Sequence, residues 1–126
     1  MKKEIIHTDQ APAAVGAYSQ AVKAGDTVYL SGQIAIDPET QEIIDGGVEK
    51  QAKRVLENLK AVLAAVDCTF KDVVKTEIFL DDINDFSAVN DIYAEYFAEE
   101  PPARACVEVG SLPKGVAVEI SVIAVK

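Results

Sequence analysis

An arginine held between two alanines, in the run Pro101-Pro102-Ala103-Arg104-Ala105-Cys106-Val107-Glu108-Val109, is where side-chain chemistry first stands out. Only two arginines occur, Arg54 and Arg104, and ten lysines supply nearly all the positive charge. Solubility does not account for Arg104, whereas a planar, permanently charged fork that grips carboxylates does. Glu119, which interrupts the apolar run Val116 to Val125, is the candidate acid or base to go with it. Tyr18, the Ser31-Gly32 backbone and Cys106 are further groups able to converge there. A carboxylate clamp with one acid or base suits a substrate whose reacting carbon is already electrophilic. Adding water to such a carbon needs positioning and one proton shuttle, not a metal or a cofactor.

Each residue also has a plainer reading. Arg104 could form an intersubunit ion pair, and Glu119 could be a partly buried carboxylate paired with a cation. Cys106 as a nucleophile would need an activating base, and a small core cysteine is the simpler assignment. Serine-hydrolase chemistry fails, because no G-x-S-x-G elbow occurs and His7, the only histidine, sits in the first segment without an obvious carboxylate partner. With one histidine and two cysteines, Cys68 and Cys106, neither a zinc-type ligand cluster nor a disulfide framework can be assembled within one chain. No metal and no cofactor are expected.

Hydropathy patterning supplies the elements that must position these groups. Glu4 to Thr8 reads as a short strand, followed by an apolar loop, Ala11 to Ala17, that could line a pocket or tuck against the core. Tyr18 to Lys23 and Thr27 to Ile36 alternate as a hairpin around Ala24-Gly25-Asp26. In the second strand Val28, Leu30, Ile34 and Ile36 are expected on one face, with Gly32 among them marking a bulge or a close approach. Val48, Ala52, Val55, Leu56, Leu59, Val62, Leu63 and Val66 make one helical stripe. Lys71 to Leu80 returns to strand alternation. Phe86, Val89, Ile92, Tyr93, Tyr96 and Phe97 trace a second helix, with Asn84 or Asp85 to cap it and Pro101-Pro102 to stop it. Strands Ala103 to Val109 and Val116 to Val125 flank the loop Gly110 to Gly115.

The order β-β-β-α-β-α-β-β predicts an α+β fold, a mixed sheet with two helices on one face, in a single domain spanning 1–126. Two helices cover only one face of such a sheet. Val116 to Val125 is nearly apolar on both sides, so other subunits are expected to cover the second face in a closed homo-oligomer with pockets at subunit boundaries. With 12 basic and 21 acidic residues the net charge is −9, which opposes binding to nucleic acid and to anionic membranes. The apolar runs are too short for a membrane span and Met1-Lys2-Lys3 leads into Glu4, so a cytoplasmic protein is expected.

Gly16-Ala17-Tyr18-Ser19-Gln20-Ala21, Val28 to Gln33, Asn90-Asp91-Ile92-Tyr93, Pro102 to Val107 and Leu112 to Ile120 together resemble the signature segments of the RidA/YjgF family, in order and spacing across almost the whole chain. The resemblance implies a chorismate-mutase-like subunit, a homotrimer with three intersubunit clefts, and 2-iminobutanoate/2-iminopropanoate deaminase activity. The substrates it implies are the enamine/imine intermediates released by pyridoxal-phosphate enzymes acting on threonine or serine. It also assigns Arg104 to the substrate carboxylate and Glu119 to the attacking water, with Tyr18, Ser31, Gly32 and Cys106 lining the pocket. Asn90 and Tyr93 match the pattern too, and their place on the second helix suggests a structural role first. A non-catalytic 2-oxo-acid-binding trimer is the rival reading. RNA cleavage or translation inhibition, also attributed to family members, is disfavoured by the acidic charge.

Overall fold

The computed structural model describes residues 2–126. Its elements are β1 (Lys3–Ile6), β2 (Ala21–Ala24), β3 (Thr27–Gln33), α1 (Val48–Ala64), β4 (Val73–Leu80), α2 (Phe86–Tyr96), β5 (Ala103–Glu108) and β6 (Val118–Val125). This is the order that hydrophobic periodicity predicts. The strands form one sheet in the order β1-β2-β3-β6-β4-β5. Among the described residues only β4 and β5 pair in parallel, and a parallel pair needs a crossover, which α2 provides.

Both helices lie on one face of the sheet. The α1 stripe of Ala52, Val55, Leu56, Leu59, Val62 and Leu63 is buried, and the helix packs against β3, β6 and α2. Beneath the helices the sheet contributes Val28, Leu30, Ile78, Leu80, Val118, Ile120, Val122 and Ala124, all buried. The alternate positions Tyr29, Phe79, Val107, Glu119 and Ile123 project from the opposite face, which no helix or strand among the described residues covers. Tyr29 and Val107 are about half exposed there, at 51% and 46%. No helix among the described residues is long and apolar enough to cross a membrane.

Three local expectations are corrected. Tyr18 to Gln20 is not strand, because its polar groups are turned to other partners. The buried Gln20 amide accepts from Thr8 N and donates to the carbonyls of Thr8 and Pro12, and the Ser19 carbonyl accepts from Ser31 Oγ at 2.6 Å. The second strand ends at Gln33, and its pairing with β6 slips between Leu30 and Gln33. That bulge reverses the facing of the residues beyond it, so Gln33 and Ala35 turn inward while Ile34 and Ile36 are left half-buried. Neither Asn84 nor Asp85 caps α2 through its side chain. Asp82 instead caps the 3₁₀ turn Ile83–Asp85 that leads into the helix, and α2 ends at Tyr96, before the prolines are reached.

Candidate active site: two half-clefts on opposite faces

Strand register decides which candidate residues can meet. Arg104 on β5 lies opposite Thr76 on β4, which lies opposite Val122 on β6. Thr76 and Val122 are buried beneath the helices, so this row faces α2. Glu119 belongs to the other row, opposite Phe79, which in turn faces Val107. Arg104 and Glu119 therefore stand on opposite faces of one sheet, and no side-chain motion within a single chain brings them together.

The Glu119 side is a cleft of about 540 Å³ lined by Tyr18, Ser31, Gly32, Gln41, Lys114 and Glu119 among other residues. Its walls include Pro12, Val15, Ile34, Ile36 and Pro113, so it is largely apolar around a few polar groups, as small-molecule sites are. The bulge is what opens it, because the reversed facing directs Ile34 and Ile36 into the cleft. Ser31 serves the wall through its bond to the Ser19 carbonyl, which fixes the end of the Tyr18 loop. Gly32 makes room for the carboxylate, since a Cβ there would lie only 2.9 Å from Glu119 Cδ and nearer still to its Oε2. Burial pushes the Glu119 carboxyl up from its ordinary range.

The Arg104 side is a shallower groove of about 470 Å³, lined by Arg104, Asn90, Tyr93, Ala94, Phe97, Pro101 and Pro102. The guanidinium carbon sits 5.0 Å from the centre of the Tyr93 ring and 5.3 Å from that of Phe86. Nη1 donates to Asn90 Oδ1 at 2.7 Å. Tyr93 is itself fixed by a 2.9 Å hydrogen bond between its hydroxyl and that of the buried Thr76. Burial raises the Tyr93 phenol, against the opposing effects of the Thr76 bond and the Arg104 charge. In a chain with 21 acidic residues, no carboxylate pairs with Arg104 among the described residues. A cation so aligned, on two rings and a neutral amide, keeps its remaining donors for a ligand.

Tyr18, Ser31, Gly32 and Glu119 thus come together in one cleft, and Arg104 does not join them within the protomer. Cys106 shares the Arg104 face, packs half-buried against the core and lines neither cleft. Burial pushes its thiol up, with the Arg104 charge opposing. His7 has a carboxylate partner after all, Asp9 at 3.0 Å, but both are exposed and lie outside the two clefts. Sequence reasoning assigned no role to Gln20 or Gln41. It also undervalued Asn90, whose matching of the family pattern at one helical turn from Tyr93 and Phe86 was the available signal.

Residues 8–126 match the family described as Endoribonuclease L-PSP. The 2-iminobutanoate/2-iminopropanoate deaminase of Rattus norvegicus is 51% identical over 124 residues, covering 98% of this chain and 90% of the relative. A solved Rid-family protein from Yersinia pestis superposes with a TM-score of 0.97 at 48% identity, covering 99% of this chain and all of that one. Escherichia coli TdcF, solved with bound serine, gives a TM-score of 0.91 at 43% identity and covers 98% of each chain. With the fold shared throughout and the match spanning almost every residue, the chain belongs to the Endoribonuclease L-PSP family, known also as the RidA/YjgF family.

Proposed function

We propose that this chain is a 2-iminobutanoate/2-iminopropanoate deaminase, hydrolysing reactive imines to 2-oxo acids and ammonia in clefts formed between the subunits of a homotrimer. The observation that carries the reading is Arg104, a guanidinium aligned by Asn90, Phe86 and Tyr93 with no carboxylate partner among the described residues. Its opposite placement to Glu119 supports the assembly. The open apolar face with Tyr29, Phe79, Val107 and Ile123 needs covering, and a second copy seated there can bring its Arg104 edge to the Glu119 cleft. The rat relative, named as this deaminase and half identical over 98% of the chain, supports the choice of substrate.

In this mechanism the substrate carboxylate pairs with Arg104 of the partner subunit, which holds C2 over a water bound to Glu119. The water oxygen bonds to C2, the C=N electron pair moves to nitrogen, and Glu119 accepts a proton from the water. Glu119 returns that proton to nitrogen, giving the neutral carbinolamine, and then relays the hydroxyl proton to the same nitrogen as the C–N bond breaks, leaving the 2-oxo acid, ammonia and the ionised carboxylate. Tyr18 and the Ser31-Gly32 backbone close the wall, and Cys106 lies two residues along β5 from Arg104 on the same face.

The test is to generate 2-iminobutanoate with a threonine dehydratase and follow its conversion to 2-oxobutanoate with and without the protein. Faster conversion is expected. If imine decay is unchanged while 2-oxobutanoate still binds, the protein is a metabolite-binding trimer and the enzymatic assignment is wrong.

The Gly32 contact gives a second expected result. In Gly32→Ala the new methyl displaces the Glu119 carboxylate, whose Cδ is 2.9 Å from the Cβ position. A misplaced proton-transfer group costs about 10²-fold, so kcat/KM should fall on that order. The edge of the cleft is open, so the melting temperature should move by only a few degrees. Unchanged kinetics in a folded Gly32→Ala protein would remove Glu119 from the proposed chemistry.

A further inference from the structure

Two loops meet at the outer wall of the Glu119 cleft, and one side chain joins them. Gln41 lies in the tight turn Asp37 to Glu42, where Asp37 N bonds to Glu42 O and Gln41 N to Asp37 O. Its Oε1 accepts from Ala13 N at 3.0 Å and its Nε2 donates to Pro38 O at 2.7 Å. The loop reached through Ala13 carries Val15 and Tyr18, both of which line the cleft. Between the Ala13 amide and the Ser19 carbonyl that loop makes no hydrogen bond among the described residues. Val15 is 82% exposed and Tyr18 is 54% exposed, so the wall owes its position to its two ends. Ser31 holds the inner end through the Ser19 carbonyl, and at the outer end the buried Gln20 amide donates to the carbonyl of the Pro12–Ala13 peptide. Gln41 holds the other side of that peptide, its N–H, and among the described residues is the one tie from the loop to the Asp37 to Glu42 turn.

Backbone geometry makes the choice of residue informative. Gln41 has φ +61°, a left-handed conformation that glycine or asparagine adopts at lower cost. Glutamine at such a position brings strain that a loop built only to turn would avoid, and strained residues concentrate where the surroundings need the side chain. Here the side chain makes two bonds that neither glycine nor the shorter asparagine can both supply.

We propose that Gln41 is a positioning residue, whose amide ties the Ala13 N–H to the Pro38 carbonyl and so fixes the loop that sets Tyr18 beside the substrate. This rests on the deaminase reading for its kinetic consequence. Gln41→Gly removes the tie while relieving the backbone, so a purely structural role and a positioning role part company. Expected for Gln41→Gly are a KM raised about tenfold, the scale of one hydrogen bond, a kcat within about twofold, and a melting temperature within a few degrees of that of the wild type, because backbone relief offsets the lost bonds. Gln41→Glu keeps the acceptor for Ala13 and loses the donor to Pro38, and should fall between. Amide hydrogen exchange at Ala13 reads the tie without turnover and should accelerate in Gln41→Gly. Unchanged Ala13 exchange, or a KM within about twofold of the wild type in an active Gln41→Gly protein, overturns the proposal. A wild type that does not hydrolyse 2-iminobutanoate overturns the deaminase reading instead, and Ala13 exchange still decides the tie.

Discussion

Replacing Arg104 with alanine is expected to lower kcat/KM for 2-iminobutanoate by between about 30-fold and about 5,000-fold. That range is the loss of about 2–5 kcal/mol expected when one partner of a desolvated, hydrogen-bonded charge pair is removed. Folding of the protomer should be little affected. Within one chain the side chain is exposed, and its contacts are the two ring faces and one bond to Asn90, worth about 1 kcal/mol each or less at such a site. Arg104→Lys should recover only a small part of the activity. An ammonium cannot span two carboxylate oxygens, lie flat over Phe86 and Tyr93 and meet Asn90 at once. Initial rates with dehydratase-generated imine check the expectation, and sedimentation of each variant separates loss of the clamp from loss of assembly. An Arg104→Ala enzyme of unchanged size that hydrolyses imine at the wild-type rate would end the carboxylate-clamp assignment.

Element order was legible because it depends on local periodicity. The α1 stripe from Ala52 to Leu63 and the alternation of β6 are read directly from residue spacing. The bulge was half legible, since Gly32 marked the place, but its effect was not. One slipped residue pair reverses every later side chain, so Ile34 and Ile36 leave the predicted apolar face and become cleft wall. The relation of Arg104 to Glu119 was beyond spacing altogether. Alternation gives the two faces of each strand but not which face of β5 matches which of β6. That emerges only once β4 is found between them in register with both. Gln20 and Gln41 escaped notice for a related reason. Their partners, Thr8, Pro12, Ala13 and Pro38, are loop backbone groups, and nothing in residue type announces which backbone a side-chain amide will meet.

Glu119→Gln should separate stability from catalysis. Burial raises the folded-state pKa of this carboxyl above its ordinary value, so the native state holds its proton more tightly than the unfolded chain does. Linkage sets the sign. Stability associated with this group is fully present below the unfolded pKa, near 4.3, and is lost as pH rises through the higher folded value. At neutral pH Glu119 is thus a charged group held where desolvation disfavours it, and glutamine, nearly the same shape, removes that cost. Urea unfolding at pH 7 should find Glu119→Gln at least as stable as the wild type, with the difference shrinking as pH falls toward 4. Activity should move the other way. Without a proton acceptor beside the water, kcat should fall by about 10²- to 10⁴-fold, the usual contribution of a positioned base. In the wild type the same shift places the acidic limb of the kcat/KM profile above the ordinary glutamate range, because only the carboxylate form can accept the proton. That limb should be missing from whatever activity Glu119→Gln retains. A Glu119→Gln protein that keeps wild-type kcat, or an acidic limb unchanged by the substitution, would assign the proton transfer to another group.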